Sequence, residues 1–170
     1  YQSWVEGRTV KVATTSTASA AVAEKSLTSA GSTPSSSATT LLGPASLKLR
    51  DRVLKDGKVL PNNIIDVSAF MDSLVDVNLM DECAKELYQR FADLRPSKIL
   101  TVATTGLVIA LPMAKYLQVP VVYARKERSV TMADTYKAGY SSKTVGKSRE
   151  LIVSKSHLSE NDRILIVDDF

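Results

Sequence analysis

The stretch KILTVATTGLVIALPMAKYLQVPVVYA, residues 98–124, decides the fold. With Ser97 before it, its opening run "SKILTVA" is short, apolar and strand-like. "TTG", residues 104–106, is a tight loop. "LVIALPMAKYL", residues 107–117, is a mostly apolar helix with Pro112 inside it, which either kinks the helix or fixes its first turn. "VPVVYA", residues 119–124, is the next strand. Strand, loop, helix, strand is a βαβ unit, so the class is α/β with a parallel sheet and helices on its faces.

Downstream lie a polar stretch from Arg125 to Lys147 and two more apolar runs, "RELIVS" and "RILIVDD" (149–154 and 163–169). Ligands of parallel sheets bind outside the carboxyl ends of the strands. Three features fall at such ends: Thr104-Thr105-Gly106, Arg125-Lys126 and Asp168-Asp169. Each has a bland reading. Two acids leaving a buried strand cap a following helix as readily as they hold Mg²⁺ or accept hydrogen bonds from sugar hydroxyls. A receiver domain also begins "ILIVDD", but there the acids follow the first strand, whereas here a βαβ unit precedes them. "TTG" reads as an ordinary turn, or as an anion site made of amides at a helix N-terminus. "ARKER" reads as a solvated loop, or as a clamp on a diphosphate. The Gly-broken segment Thr131 to Arg149 reads as a surface hairpin or as a flap over a ligand.

Upstream, Asp76 is placed to cap a helix on which Leu79, Met80, Cys83, Ala84, Leu87 and Phe91 recur at helical spacing. "NIIDVSAFM" alternates like a strand in its first half, "DGKVLPNN" is a turn, and "LKLRDRVLK" (47–55) is a short charged helix. Before it the composition changes. From Ala13 to Thr40, 22 of 28 residues are Ser, Thr or Ala. Such a segment has little apolar area to offset its ordering entropy, so residues 1–46 are expected to be a disordered leader or linker and 47–170 the domain. A transit peptide, a flexible linker and translated non-coding sequence fit the leader equally well.

Composition narrows the function. At 44% apolar and 24% charged, the chain is ordinary for a globular protein. A net charge of +4 is too weak to argue for nucleic acid. No apolar run approaches the roughly 18 residues that span a bilayer. The single cysteine, Cys83, excludes an internal disulfide framework and suits a reducing compartment, so the cytoplasm is expected, or an organelle if the leader is a transit peptide. Cys83 lies on an apolar helix face and reads as core. His157, in a polar loop, has no evident acid–base or metal partner. There is no initiator Met and no closing element, so the chain is expected to be a fragment cut at both ends and inactive by itself.

In order, these pieces resemble a type I phosphoribosyltransferase, and within that superfamily the bacterial-type xanthine phosphoribosyltransferases. The resemblance runs from about Arg52 to Phe170. "DGKVLPNNIIDVSAFMDSLVDVNLM" is similar to the purine-side segment, "KILTVATTGLVIA" to the diphosphate loop, and "VPVVYARKERSVTM" and "SHLSENDRILIVDDF" to the segments that follow. The resemblance implies the type I fold with an N-terminal hood, incomplete at its C-terminus. It also implies a homodimer and transfer of the 5-phosphoribosyl group from phosphoribosyl diphosphate to xanthine or another 6-oxopurine, with Mg²⁺ as cofactor.

On that resemblance, Asp168 and Asp169 contact the ribose hydroxyls and Mg²⁺, directly or through water. Thr104, Thr105, Gly106, Arg125 and Lys126 hold the diphosphate. The family more often has Ser-Ser-Gly after an acid, and here Ala103 takes the acid's place. Ile65 and Asp72 fall where the family has a Leu and an Asn beside the purine. A carboxylate accepts hydrogen bonds but cannot donate them. Asp72 facing the base would therefore favour guanine, and Asp72 facing solvent would leave xanthine first, which is the expected outcome. The rival reading is a purine repressor that senses phosphoribosyl diphosphate on this same fold. Such repressors carry an N-terminal winged helix, and the Ser/Thr/Ala-rich leader has no helix-turn-helix pattern.

Overall fold

The computed structural model of the chain describes residues 42–61, 64–141 and 148–169. Most of the expected leader lies outside the described residues, as do part of the expected flap (142–147, with Gly146) and Phe170. Four elements lead up to the parallel sheet: helix α1 (Pro44–Asp56), strands β1 (Lys58–Leu60) and β2 (Ile64–Asp66), and helix α2 (Val77–Phe91). Then come β3 (Lys98–Val102), α3 (Gly106–Leu117), β4 (Val121–Ala124), β5 (Thr135–Ser141), β6 (Ser148–Ser154) and β7 (Ile164–Ile166).

The βαβ unit forms as its sequence dictates. β3 and β4 are parallel neighbours joined by α3, and β7 pairs parallel on the other side of β3, giving the order β4-β3-β7. Ile99 and Leu165 on these strands are buried, and α3 covers them with Ile109, Ala110 and Met113. α2 packs on α3 through the predicted stripe, in which Leu79, Met80, Cys83 and Ala84 are buried. Its N-terminus is capped as expected: Asp76 Oδ1 accepts from the Leu79 amide at 3.1 Å. Pro112 sits inside α3 rather than in its first turn.

The two downstream apolar runs part company. β7 joins the parallel sheet, whereas β6 pairs antiparallel with β5 and meets the sheet's edge through a bridge between Ile152 and Arg125 and through Leu151 and Val153, which are buried in one apolar cluster with Val122 and Ala124 of β4. β5 and β6 are consecutive strands that pair along seven residues, and an antiparallel pair of consecutive strands needs only a short loop between them. β7 itself ends at Ile166, so Asp168 and Asp169 stand beyond the strand rather than in it. Among the described residues no helix is long and apolar enough to cross a membrane.

α1 starts at Pro44, within the stretch assigned to the leader, with Pro at the one position where its missing amide costs nothing. Its next two amides are satisfied from far along the chain. Glu86 Oε2 accepts from Ala45 N at 2.9 Å and Ser46 N at 3.2 Å, Oε1 accepts from the Ser46 hydroxyl, and Arg90 pairs with the same carboxylate. Burial works against the charged form of Glu86, but these hydrogen bonds and Arg90 hold its carboxyl below the usual range. Glu86→Ala is therefore expected to destabilise the fold at pH 7 by about 1–2 kcal/mol, the size of a lost helix cap. The sign with pH follows from the depressed value. The contribution is complete above the unfolded carboxyl's pKa of about 4.3 and is lost as pH falls through the lower folded value. Thermal unfolding of both proteins from pH 3 to 7 checks this: the gap should close on the acid side, and equal stability at pH 7 would refute the cap.

Candidate active site

Because β3, β4 and β7 run parallel, their carboxyl ends share one edge of the sheet. β7 is tied to β3 to its last pairing, with Val167 N donating to Leu100 O at 3.0 Å, and the chain then presents Asp168 and Asp169. β3 turns through residues 103–105 into Gly106, the first residue of α3, and the Ala103–Thr104 peptide is cis. Ala103 N donates to Ala124 O at 2.9 Å, which sets this turn beside the end of β4, where Arg125 and Lys126 follow.

The acids are held unequally. Asp168 Oδ1 accepts from the Thr101 hydroxyl at 3.3 Å. It also lies against Gly106, where an added Cβ would overlap both Asp168 Oδ1 and Thr101 Oγ1. Both carboxyls reach solvent, yet the strand ends around them withhold enough water to favour the neutral form. Asp168 is raised by this desolvation, opposed by hydrogen bonds from the backbone of Val102 and Asp169, by Thr101 and by the Lys126 charge. Asp169 is pushed up to about 6, first by desolvation, then by the charge of Asp168, with Asp72 adding to it and Lys126 opposing. The charge of Lys126 thus reaches both acids, and that of Asp72 reaches Asp169.

The other predicted residues fall as follows. Thr104 is exposed, and Thr105 is the N-cap of α3 with no side-chain cap bond. Arg125 is committed to its own strand end: its guanidinium lies 4.9 Å from the Tyr123 ring centroid, and Nη2 donates to Tyr123 Oη at 2.7 Å. Ile65 pairs with Val59 in the separate two-stranded sheet and packs half-buried against the core. Asp72 is exposed. Cys83 is buried, and burial, with Glu86 and Glu82 nearby, pushes its thiol up to about 12, which leaves it inert. His157 is exposed, and its carbonyl accepts from Lys98 Nζ at 2.9 Å. A groove beside α1 and the start of α2, lined by Lys48, Arg52, Asp76, Asn78, Leu79 and Glu82, lies apart from this chemistry. Its charges are answered by Lys48–Glu82 at 2.6 Å and Arg52–Asp56 at 2.9 Å.

Sequence reasoning passed over Thr101. The signal was present: a hydroxyl at a position that shares the inward face of "ILTV" with Ile99 needs a polar partner inside the protein.

The donor set suits one class of metal. Among the described residues no group of three or more His, Cys, Asp or Glu could hold an ion by itself. Two adjacent carboxylates, one of them already bonded to Thr101, suit a hard cation that keeps its waters and arrives with phosphate oxygens, which is how Mg²⁺ binds.

The family description "Phosphoribosyl transferase domain" matches residues 72–170. Among curated relatives, the xanthine phosphoribosyltransferase of Finegoldia magna is 40% identical over 124 residues, 72% of this chain and 65% of that one. The xanthine phosphoribosyltransferase of Ruminiclostridium cellulolyticum is 42% identical over 123 residues, again 72% and 65%. The chain thus spans about 65% of the length of these relatives. Among solved structures, the adenine phosphoribosyltransferase of Trypanosoma brucei superposes with a TM-score of 0.56 at 20% identity, covering 69% of this chain and 53% of that one. That of Leishmania tarentolae gives 0.53 at 17% identity, covering 74% and 64%. At such identities the likeness is one of fold.

Proposed function

The chain belongs to the phosphoribosyl transferase domain family, and from that premise we propose that the protein carrying it transfers the 5-phosphoribosyl group of phosphoribosyl diphosphate to a 6-oxopurine, xanthine first. One observation carries the reading: acids, a glycine-led helix start and a lysine meet where three parallel strands end. The relatives named as xanthine phosphoribosyltransferases, about 40% identical, supply the choice of base. They are named as transferases, and none of these observations favours a repressor.

The chemistry follows from the residues. The lone pair of a purine nitrogen forms a bond to the anomeric carbon as the bond to diphosphate breaks. The diphosphate leaves with the electron pair, and the purine N–H proton passes to solvent. Charge grows on the leaving oxygens, so fixed positive groups aimed there lower the barrier. In this assignment Lys126 and the 104–106 turn hold the diphosphate, and Arg125 would add its charge on leaving Tyr123. Asp168 and Asp169 orient the ribose by accepting hydrogen bonds from its hydroxyls. Mg²⁺, held by those two acids directly or through water, would neutralise diphosphate charge. Ile65 and Asp72 are assigned to the base. The hairpin of β5 and β6 is assigned as the flap that excludes water from the donor. We assign a homodimer working in the cytoplasm.

The product of the complete reading frame, given phosphoribosyl diphosphate, Mg²⁺ and xanthine, guanine or hypoxanthine in turn, should release diphosphate and form the nucleoside monophosphate. Its specificity constant should be highest for xanthine. Guanine well ahead of xanthine would show that the Asp72 carboxylate faces the base and meets a 2-amino group there. No transfer to any of the three would refute the reaction.

A further inference from the structure

Thr101 lies one residue from the end of β3, the central strand of the parallel sheet. Its side chain shares the inward face with Ile99, and the residue is 1% exposed. A hydroxyl so placed has left water and requires a partner. It donates to Asp168 Oδ1, 67 positions further along the chain. That oxygen also rests on Gly106, with no room for a Cβ between them. Two distant segments therefore meet at the carboxylate that follows Val167: the end of β3 and the first residue of α3. A negative group at the start of a helix is favoured by the helix dipole, which reinforces the arrangement.

We propose that Thr101 is a positioning residue for phosphoribosyl transfer, whose hydroxyl clasps Asp168 to Gly106 and so sets the spacing between the ribose acids and the diphosphate turn. The proposal rests on the reaction assigned above. Phosphoribosyl diphosphate carries its ribose hydroxyls and its diphosphate on one sugar, so their separation is a property of the ligand. A site that grips both must match that separation, and small misplacements of a gripping group cost much of the rate. Inorganic diphosphate engages the turn and Lys126 but carries no ribose hydroxyls, so it does not report the spacing. Thr101 touches no reacting atom. It acts through Asp168.

The test compares Thr101→Val and Thr101→Ser with the wild type, using the product of the complete reading frame. Thr101→Val keeps the shape and removes the donor. It should lower kcat/KM for phosphoribosyl diphosphate by about 10- to 100-fold. The KM for the purine and the Kd of inorganic diphosphate should stay within about threefold, the scatter of a change that removes no contact to either. Thr101→Ser keeps the hydroxyl and should restore most of the loss. If Thr101→Val does not fold, Thr101→Ser against Thr101→Cys asks the same question, since the two are similar in size and the thiol is a weak donor. Donor kinetics unchanged by loss of the hydroxyl would overturn the proposal. So would a serine variant as impaired as valine, or diphosphate binding that falls in parallel with donor use. A wild-type protein without transferase activity overturns the reaction, and this role with it. An active wild type with an unaffected Thr101→Val overturns this role alone.

Discussion

Lys126→Ala is expected to lower kcat/KM for phosphoribosyl diphosphate by about 30- to 800-fold, equivalent to about 2–4 kcal/mol of transition-state stabilisation. The side chain follows β4 at the sheet edge where β3 and β7 also end, and its charge reaches both Asp168 and Asp169. In the assigned reaction it faces the oxygens on which charge grows, so its loss should appear in kcat as well as in donor KM. Purine KM should change little. The pH profile carries a second signature. Lys126 opposes the upward push on Asp169, whose carboxyl stands at about 6. Without that charge the protonated form is favoured further, and the acid limb of donor use should move to higher pH. Steady-state kinetics in both substrates from pH 5 to 9 measure all three effects. Donor constants equal to those of the wild type would show that Lys126 is only a solvated loop charge.

Gly106→Ala should be as damaging, for a steric reason. The glycine's backbone is not in the left-handed region, so conformational freedom is not what it supplies. What it supplies is room: a Cβ would overlap Asp168 Oδ1 and Thr101 Oγ1 together. Alanine is the better helix former by up to about 1 kcal/mol, and on an open helix that gain would decide the sign. Here overpacking costs about 1–3 kcal/mol, and its relief requires Asp168 to move off the turn. The expected outcome is a protein of equal or slightly lower thermal stability whose kcat/KM for the donor has fallen by about 100-fold, a loss typical of small misplacements in a positioned site. Calorimetric melting and donor kinetics measured on the same preparation separate the two effects. A Gly106→Ala protein that is more stable and fully active would remove the argument for close approach at this site.

The residues of this site differ in how visible they were. Gly106, Lys126 and the acid pair were legible because each falls where a local pattern breaks, at the end of an apolar run. Strand and helix periods are short-range properties, and the βαβ unit of β3, α3 and β4 follows from them alone. So does the inward stripe of α2 with its Asp76 cap. Tertiary structure decided everything that depends on meeting a distant segment. The cap of α1 comes from Glu86, 41 positions beyond Ala45, so no neighbouring residue announces where that helix starts. β6 and β7 have similar apolar runs, yet one pairs with β5 in a hairpin and the other enters the parallel sheet, because the partner strand each one meets decides between them. Arg125 and Lys126 are adjacent and equally charged, but Tyr123 takes the first guanidinium while the second charge reaches the acids. Thr101 signals in the sequence only that a hydroxyl inside a strand needs a partner, and the fold brings Asp168 to it. Local sequence sets which backbone forms are favourable. Which side chains share a cleft depends on how the sheet and helices pack, and no short window of sequence contains that information.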